Sequence, residues 1–274
     1  MKILISTDIE GVAGVVDPQQ VRAGNPEYER ARLWMTKEAN AAILGAFEAG
    51  AEKVFVNDSH AGFRNIIVSE LDPRAILITG KPRLYSMMSG IEFNVDGVAL
   101  VGHHSQAQGR GVLAHTINSF AFAKISINGQ SLGEPGLYGL LAAEKGIPLI
   151  FGSGDQYLAE ENKAHFPEAI WVETKWAMGH TCAASKTIEA SCEDIRKGMK
   201  EAVSRLQQNK SSLFSLKKPY VCTLQTTTPG LADLFCMLPN TNRVDGVTIT
   251  FEQPSIEYIV RTLNVFSSMS ASLR

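Results

Sequence analysis

The sequence predicts an α/β protein with a mostly parallel central sheet, flanking helices and an antiparallel hairpin, plus a smaller C-terminal α+β unit. Short apolar runs of strand length alternate with segments whose apolar residues recur at helical spacing. Asn128-Gly129 separates two strand-like runs, which is a strong hairpin signal. The chain has 274 residues and is 45% hydrophobic, so it can bury a large core.

The first half of the chain reads as strands alternating with helices. The apolar run Ile3 to Ile5 predicts a strand, and a helix predicted over Tyr28 to Ala49 ends at Gly50. The next strands are predicted over residues 53–56, 75–78 and 97–101. Several of these strands run into a cluster of polar residues.

The second half begins with the hairpin and continues with further strands and helices. The hairpin is predicted over 122–127 and 130–132, and the elements that follow cover 135–145, 148–151, 156–164, 170–174 and 185–208. The polar segment Gln207 to Ser212 marks a boundary. We therefore predict a metal-binding catalytic domain over 1–208 and a small α+β domain over 213–274, with elements at 219–224, 231–238, 246–251 and 255–266.

Charge and composition exclude some classes of function. Lys and Arg number 26 against 28 Asp and Glu, which gives a net charge of -2 and no electrostatic case for binding nucleic acid or an anionic membrane. The apolar runs are too short for a membrane span, and the N-terminus lacks the pattern of a signal peptide. The four cysteines lack zinc-knuckle spacing, so we predict buried thiols in a cytoplasmic protein that acts on small molecules or peptides.

Asp8 and Glu10 follow the first strand and are spaced one residue apart. In an extended chain, residues i and i+2 point to the same side, so both carboxylates are expected to face one place. Open α/β sheets bind their ligands beyond the C-terminal ends of their strands. The pair is therefore a candidate metal site, and the alternative is an acidic turn.

Further polar residues lie at later junctions, and each has a structural alternative. His60 is a ligand or a solvated loop histidine, His115 a functional or a core histidine, and Glu134 a ligand or a carboxylate that favours a helix N-terminus. Consecutive side chains of an extended segment point in opposite directions, so His103 and His104 are expected to send at most one ring to a shared centre.

These carboxylates and imidazoles form a mixture that suits zinc and similar divalent ions. They are too numerous for one tetrahedral ion that keeps an open position. A carboxylate that bridges two metal ions, with the other ligands divided between them, accounts for the surplus.

As a set, the motifs resemble those of the D-aminopeptidase family, peptidase family M55, whose members are zinc-dependent peptidases active on peptides with N-terminal D-residues. The matching segments keep the family's order over the first half of the chain. They are Ser6 to Gly11 with Gly14, Met35 to Asn40, Val56 to His60, Gly102 to His104, Gly111 to Thr116, and Asn128-Gly129 leading to Gly133-Glu134.

The resemblance implies a ligand set and an assembly. It implies two Zn²⁺ ions per chain with Asp8 bridging them, a catalytic His115 that does not bind metal, and a homodecamer that encloses a channel. The implied metal ligands are Asp8, Glu10, His60, His104 and Glu134. His103 departs from the family pattern, and we expect its side chain to face outward or to offer a competing ligand.

The predicted function is a two-zinc aminopeptidase of short peptides, including those with N-terminal D-amino acids. His115 can transfer a proton, hydrogen-bond the developing oxyanion or attack directly. The alternatives are a two-metal hydrolase of another amide or a phosphoester, and a non-catalytic peptide-binding or transport-accessory protein. No substrate-binding residue is assigned, although Asp155 is a candidate for the substrate ammonium or a cap of the next helix.

Overall fold

The computed structural model describes residues 1–274, which form twelve strands and six α-helices. The strands are β1 (Lys2–Thr7), β2 (Lys53–Asp58), β3 (Ile76–Ile78), β4 (Gly97–Val101), β5 (Phe122–Ile127), β6 (Gln130–Ser131), β7 (Leu149–Asp155), β8 (Ile170–Gly179), β9 (Cys182–Ser185), β10 (Tyr220–Thr226), β11 (Thr241–Arg243) and β12 (Thr248–Gln253). The helices are α1 (Pro26–Glu48), α2 (Glu134–Glu144), α3 (Gln156–Asn162), α4 (Ile188–Gln207), α5 (Pro229–Phe235) and α6 (Ile256–Met269).

The first sheet confirms the predicted α/β class. Its strand order is β3-β2-β1-β4-β7-β8-β9, and every neighbouring pair is parallel except the final hairpin of β8 and β9. The strand order reverses direction between β1 and β4, which is the position where open α/β sheets form a crevice for a ligand.

The second sheet is antiparallel and has the order β11-β12-β10-β5-β6. The predicted hairpin is confirmed as β5 and β6, which meet at Ile127 and Gln130. Strand β10 pairs with β5 along Cys222 to Thr226, so this sheet takes strands from both sides of the predicted boundary at 208–213. The division into domains 1–208 and 213–274 stays a prediction.

Alternate residues of the parallel strands pack on opposite faces of the first sheet. Ile3 and Ile5 belong to an apolar cluster with Met199 of α4, whereas Leu4 belongs to a larger cluster with Leu137 of α2. The larger cluster also includes the second sheet and α6. Both faces of the central strands are therefore covered, which explains why β1 reads as a continuous apolar run.

Strands β7 and β8 extend furthest beyond their predicted C-terminal ends. Strand β7 continues from Leu149 through Gly152, Ser153 and Gly154, because pairing with β4 and β8 on both sides outweighs the weak strand preference of glycine and serine. Strand β8 continues to Gly179 because it pairs with β9, which was not predicted from the sequence.

Helix α1 begins at Pro26, directly after its N-cap residue Asn25. The Asn25 side chain accepts hydrogen bonds from the backbone N–H groups of Glu27 and Tyr28, and Pro26 occupies the first turn.

No helix of the chain has both the length and the apolar character that crossing a membrane requires. All four cysteines are free; Cys222 is buried, whereas Cys182 is exposed, contrary to the prediction for the cysteines as a group.

Candidate metal centre

The predicted site residues converge beyond the C-terminal ends of three neighbouring strands. Asp8 follows β1, His60 follows β2 and His104 follows β4. Because β1 lies between β2 and β4, these three side chains meet at the edge where the strand order reverses. The candidate centre therefore occupies the crevice that the topology creates.

Asp8 and Glu10 meet at the same imidazole, although the backbone does not stay extended. Strand β1 ends at Thr7, and the following residues turn against β4, with the Asp8 N–H donating to the Val101 carbonyl at 2.8 Å. His60 Nδ1 lies 3.2 Å from Asp8 Oδ1 and 3.1 Å from Glu10 Oε2. The turn thus brings the two carboxylates together, as expected from their spacing.

Gly102 redirects the chain at the end of β4. Its φ is +70°, a left-handed conformation that glycine adopts more readily than other residues, and an added Cβ would lie 2.4 Å from the Asp8 carbonyl oxygen. The turn brings both following histidines inside: His103 and His104 are 0% and 1% exposed. The expectation that His103 faces outward is therefore not met, because it assumed an extended backbone.

Glu134 reaches the centre from a helix, as the first residue of α2. Its Oε1 accepts a hydrogen bond from the Ile117 N–H at 2.6 Å. Its Oε2 lies 3.4 Å from His104 Nε2 and 3.8 Å from His103 Nδ1. One carboxylate oxygen is therefore held by backbone while the other faces the imidazoles.

Backbone carbonyls orient the two predicted imidazole ligands. His60 Nε2 lies 2.7 Å from the Val21 carbonyl, and His104 Nδ1 lies 3.0 Å from the Ser105 carbonyl. A proton on each of these nitrogens leaves the other ring nitrogen, which faces the carboxylates, as a lone-pair donor. Such contacts are typical of metal-binding histidines.

Several atoms at the centre are buried and lack a hydrogen-bond partner, which fits a bound cation. They include Glu10 Oε2, His104 Nε2 and Glu134 Oε2. Buried polar atoms are normally satisfied, so this concentration needs an explanation. Carboxylate oxygen and imidazole nitrogen are ligands that zinc accepts, and three groups of these side chains offer atoms within 4.8 Å of one another.

The charges of the centre are strongly coupled. Burial favours the neutral acid at Asp8, but the adjacent imidazoles of His104 and His60 outweigh this effect and hold the pKa of Asp8 well below its ordinary value. Burial acts to lower the pKa of His60, yet Glu10 and Asp8 raise it well above its ordinary value. In His103, burial prevails over the nearby Asp8 and lowers the pKa of the imidazole.

His115 lies beside the centre on a strained loop. Its ring stacks on that of His104, with the centroids 4.0 Å apart and the planes inclined by 13°. Its Nδ1 lies 3.0 Å from the Leu113 carbonyl, so Nε2 is the free ring nitrogen. Leu113 and Ile117 have φ values of +51° and +62°, which are unfavourable for these residues and are typical of functional loops.

Asp155 serves the scaffold, as its structural alternative predicted. Its Oδ1 accepts from the Leu158 N–H at 3.0 Å and caps α3, while its Oδ2 accepts from the Val112 N–H at 2.7 Å. The side chain is buried, and both oxygens have backbone partners. It therefore offers no free oxygen for a substrate ammonium.

Lys175 and Glu38 support the turn that carries Asp8 and Glu10, a role that was not predicted from the sequence. The buried Lys175 ammonium donates to the carbonyls of Glu10, Val12 and Val15 at 2.5, 2.9 and 2.5 Å. Glu38 Oε1 accepts from the Ala13 N–H at 3.0 Å. Glu38 lies in the matching segment Met35 to Asn40, and Lys175 follows a predicted strand, but neither pattern indicates the partner of the side chain.

The fold and the site define a class: an α/β protein with a buried carboxylate and imidazole centre suited to zinc. A family model described as D-aminopeptidase, Peptidase_M55, matches residues 1–265. A D-aminopeptidase of Bacillus subtilis (strain 168) is 32% identical over 250 residues, which cover 90% of this chain and 89% of that protein. The chain therefore belongs to the D-aminopeptidase family, peptidase family M55.

A solved structure shares the whole fold. It is the Zn-dependent D-aminopeptidase DppA from Bacillus subtilis, described as a self-compartmentalizing protease. The two structures superpose with a TM-score of 0.92 at 27% sequence identity, covering 99% of this chain and 98% of that chain. The predicted family and fold class are thereby confirmed.

Proposed function

We propose that this protein is a zinc aminopeptidase that removes N-terminal residues, including D-amino acids, from short peptides at a centre of two ions bridged by Asp8. One observation carries the two-ion arrangement. Asp8 Oδ1 faces His60 Nδ1 at 3.2 Å, whereas Asp8 Oδ2 faces His104 Nε2 at 3.4 Å. The two oxygens of one carboxylate thus serve different imidazoles.

The spacing of the ligand atoms supports this division. Zinc bonds to nitrogen and oxygen are about 2.1 Å long, so two ligands of a tetrahedral ion lie about 3.4 Å apart. His60 Nδ1 lies 3.1 Å from Glu10 Oε2, and His104 Nε2 lies 3.4 Å from Glu134 Oε2. Asp8, Glu10 and His60 would hold one ion, and Asp8, His104 and Glu134 the other.

Zinc ions bound here would polarise the scissile carbonyl and lower the pKa of a coordinated water toward about 7. His115 supplies the protein's contribution to proton transfer. With Nδ1–H donating to the Leu113 carbonyl, the neutral ring presents a lone pair at Nε2. We infer that Nε2 accepts a proton during attack on the carbonyl and returns it to the leaving amine.

The proposal includes an assembly that limits the substrate to short peptides. The related DppA is described as self-compartmentalizing, and we extend this to a homodecamer of the present chain. Trp176 and Met178 on the hairpin of β8 and β9 are 42% and 76% exposed, which supports a contact surface there. Analytical ultracentrifugation would test for a mass near ten times 29.8 kDa.

The decisive experiment measures amino-acid release by the zinc-loaded protein. D-Ala-D-Ala, D-Ala-Gly-Gly and D-alaninamide would be compared with their L counterparts, with His115→Ala as the inactive control. Release from the D substrates supports the proposal, and no release from any of these substrates refutes it. Hydrolysis of a model phosphodiester alone would favour the alternative hydrolase, and peptide binding unaffected by chelator without turnover would favour a binding protein.

The cytoplasmic location belongs to the same proposal. Fractionation of the producing cells, with antibody detection of the chain, would test this location.

A further inference from the structure

His103 is buried at the metal centre, yet neither ring nitrogen has a hydrogen-bond partner. Its side chain is fully enclosed. Both Nδ1 and Nε2 lack a partner. A histidine with two unsatisfied nitrogens in an interior is exceptional, because a buried polar group normally finds a partner.

The ring lies where a metal ligand would lie. Three potential ligand atoms lie within 4.8 Å of one another, one each from Asp8, His103 and Glu134. His103 Nδ1 lies 3.8 Å from Glu134 Oε2, which is too far for a hydrogen bond. Two ligands of one zinc ion span at most about 4.2 Å, so this separation accommodates an ion between them.

The backbone holds His103 in this position. Its N–H donates to the Ser153 carbonyl of β7 at 3.0 Å. Its carbonyl oxygen lies so close to Gly11 that a Cβ there would approach it to 1.9 Å. His103 is thus held between the turn that carries Glu10 and the neighbouring strand, and its ring enters the centre from a rigid support.

Two imidazoles are candidates for the fourth ligand of an ion that Asp8, His104 and Glu134 would hold. His115 also lies within 4.8 Å of ligand atoms of His104 and Glu134. However, His115 is only half-buried and already contacts the Leu113 carbonyl. His103 has no other partner, so binding through His103 leaves His115 available for proton transfer.

We infer that His103 is an additional metal ligand, which completes the coordination of the ion held by Asp8, His104 and Glu134. This inference rests on the proposed function. With His103, the ion at this position would have four protein ligands and no open coordination site. The ion held by Asp8, Glu10 and His60 would have three protein ligands and an open coordination site for substrate. Structural zinc sites have four protein ligands and catalytic sites have three.

Cobalt(II) titration of chelator-treated protein tests the assignment, because visible absorption reports its coordination. The wild-type protein is expected to bind two equivalents per chain. His103→Phe is expected to weaken one equivalent by a factor of about 10 to 100 or more, change its absorption spectrum and reduce metal-induced thermal stabilisation. His165→Phe, a half-buried histidine outside the centre, is the matched control and is expected to keep both equivalents.

His103→Gln distinguishes a ligand from a hydrogen-bonding neighbour. A glutamine retains polar atoms but not the imidazole, so this variant is expected to lose the same equivalent as His103→Phe. Wild-type cobalt affinity and spectrum in either variant would overturn the assignment of His103 and leave the proposed function standing. Absence of cobalt binding by the wild-type protein would overturn both.

Discussion

The imidazole of His115 lies flat against that of His104, with ring centroids 4.0 Å apart. His104 in turn faces Asp8 and Glu134 through its Nε2. The predicted ligand and the predicted proton-transfer group thus share one stack. In the proposed mechanism, His104 would bind the metal and the neighbouring ring of His115 would transfer the proton.

Replacement of His115 by alanine is expected to reduce kcat by about 10² to 10⁴ while the bound zinc remains, because proton transfer is lost and the ligand set is not. The measurement pairs peptide hydrolysis with zinc content per chain. His165→Phe is the control for a general effect of losing a histidine. Loss of zinc together with activity would instead identify His115 as a ligand.

Replacement of Asp8 is expected to disturb both metal positions, whereas replacement of Glu10 disturbs one. Asp8 faces both His60 and His104, but Glu10 faces His60. Asp8→Asn should therefore reduce binding at both positions, and Glu10→Gln should leave close to one equivalent. Isothermal titration with zinc measures this, and equal losses in the two variants would argue against the bridge.

Replacement of Lys175 by methionine is expected to destabilise the chain by about 2 to 4 kcal/mol, because the carbonyls of Glu10, Val12 and Val15 lose a buried donor. Zinc affinity should fall as well, since the turn carries Glu10. Thermal unfolding and zinc titration are the measurements. Lys197→Met, whose side chain is 67% exposed, is the control and should change stability by less than about 1 kcal/mol.

Replacement of Glu38 by glutamine is expected to change how stability depends on pH. Burial raises the pKa of Glu38 from 4.5 to about 7. Between pH 4.5 and about 7, Glu38 is ionised in the unfolded chain but protonated in the folded chain. The free energy of unfolding of the wild type therefore falls as the pH rises through this range, by roughly 3 kcal/mol in total. Below pH 4.5 Glu38 contributes no pH dependence to the stability, and above about pH 7 the loss of stability is complete and stays constant.

Urea unfolding from pH 4 to 8 at one protein concentration measures this difference. The Glu38→Gln variant should gain stability over the wild type as pH rises, since its amide oxygen can still accept from Ala13 and Ser191. Glu52→Gln, whose side chain is 80% exposed, provides the control. A constant difference between wild type and Glu38→Gln across this range would contradict the prediction.

The sequence was sufficient for the fold class and for the convergence of the polar residues. Parallel strands place their C-terminal ends at one edge, so residues that follow different strands meet there whatever the details of the loops. Asp8, His60 and His104 illustrate this rule, because each follows a strand that neighbours another in the sheet. Their roles as metal ligands stay predictions.

Long-range pairing could not be predicted from local patterns. Strand β5 joins β10 across about a hundred residues, and β8 gains its extra length from β9. Lys175 likewise finds acceptors on a turn more than 150 residues earlier in the chain. Such partners depend on how distant segments pack.

By itself, the sequence determined which polar residues meet at one edge of the sheet, because apolar runs and the polar clusters after them are local features. The position of His103 was decided only by the tertiary structure. Gly102 adopts φ +70° beside the Asp8 backbone and turns both histidines inward. The rule that consecutive side chains point in opposite directions holds for an extended chain. Here the turn at Gly102 packs against the turn after β1, so the backbone at the two histidines is not extended.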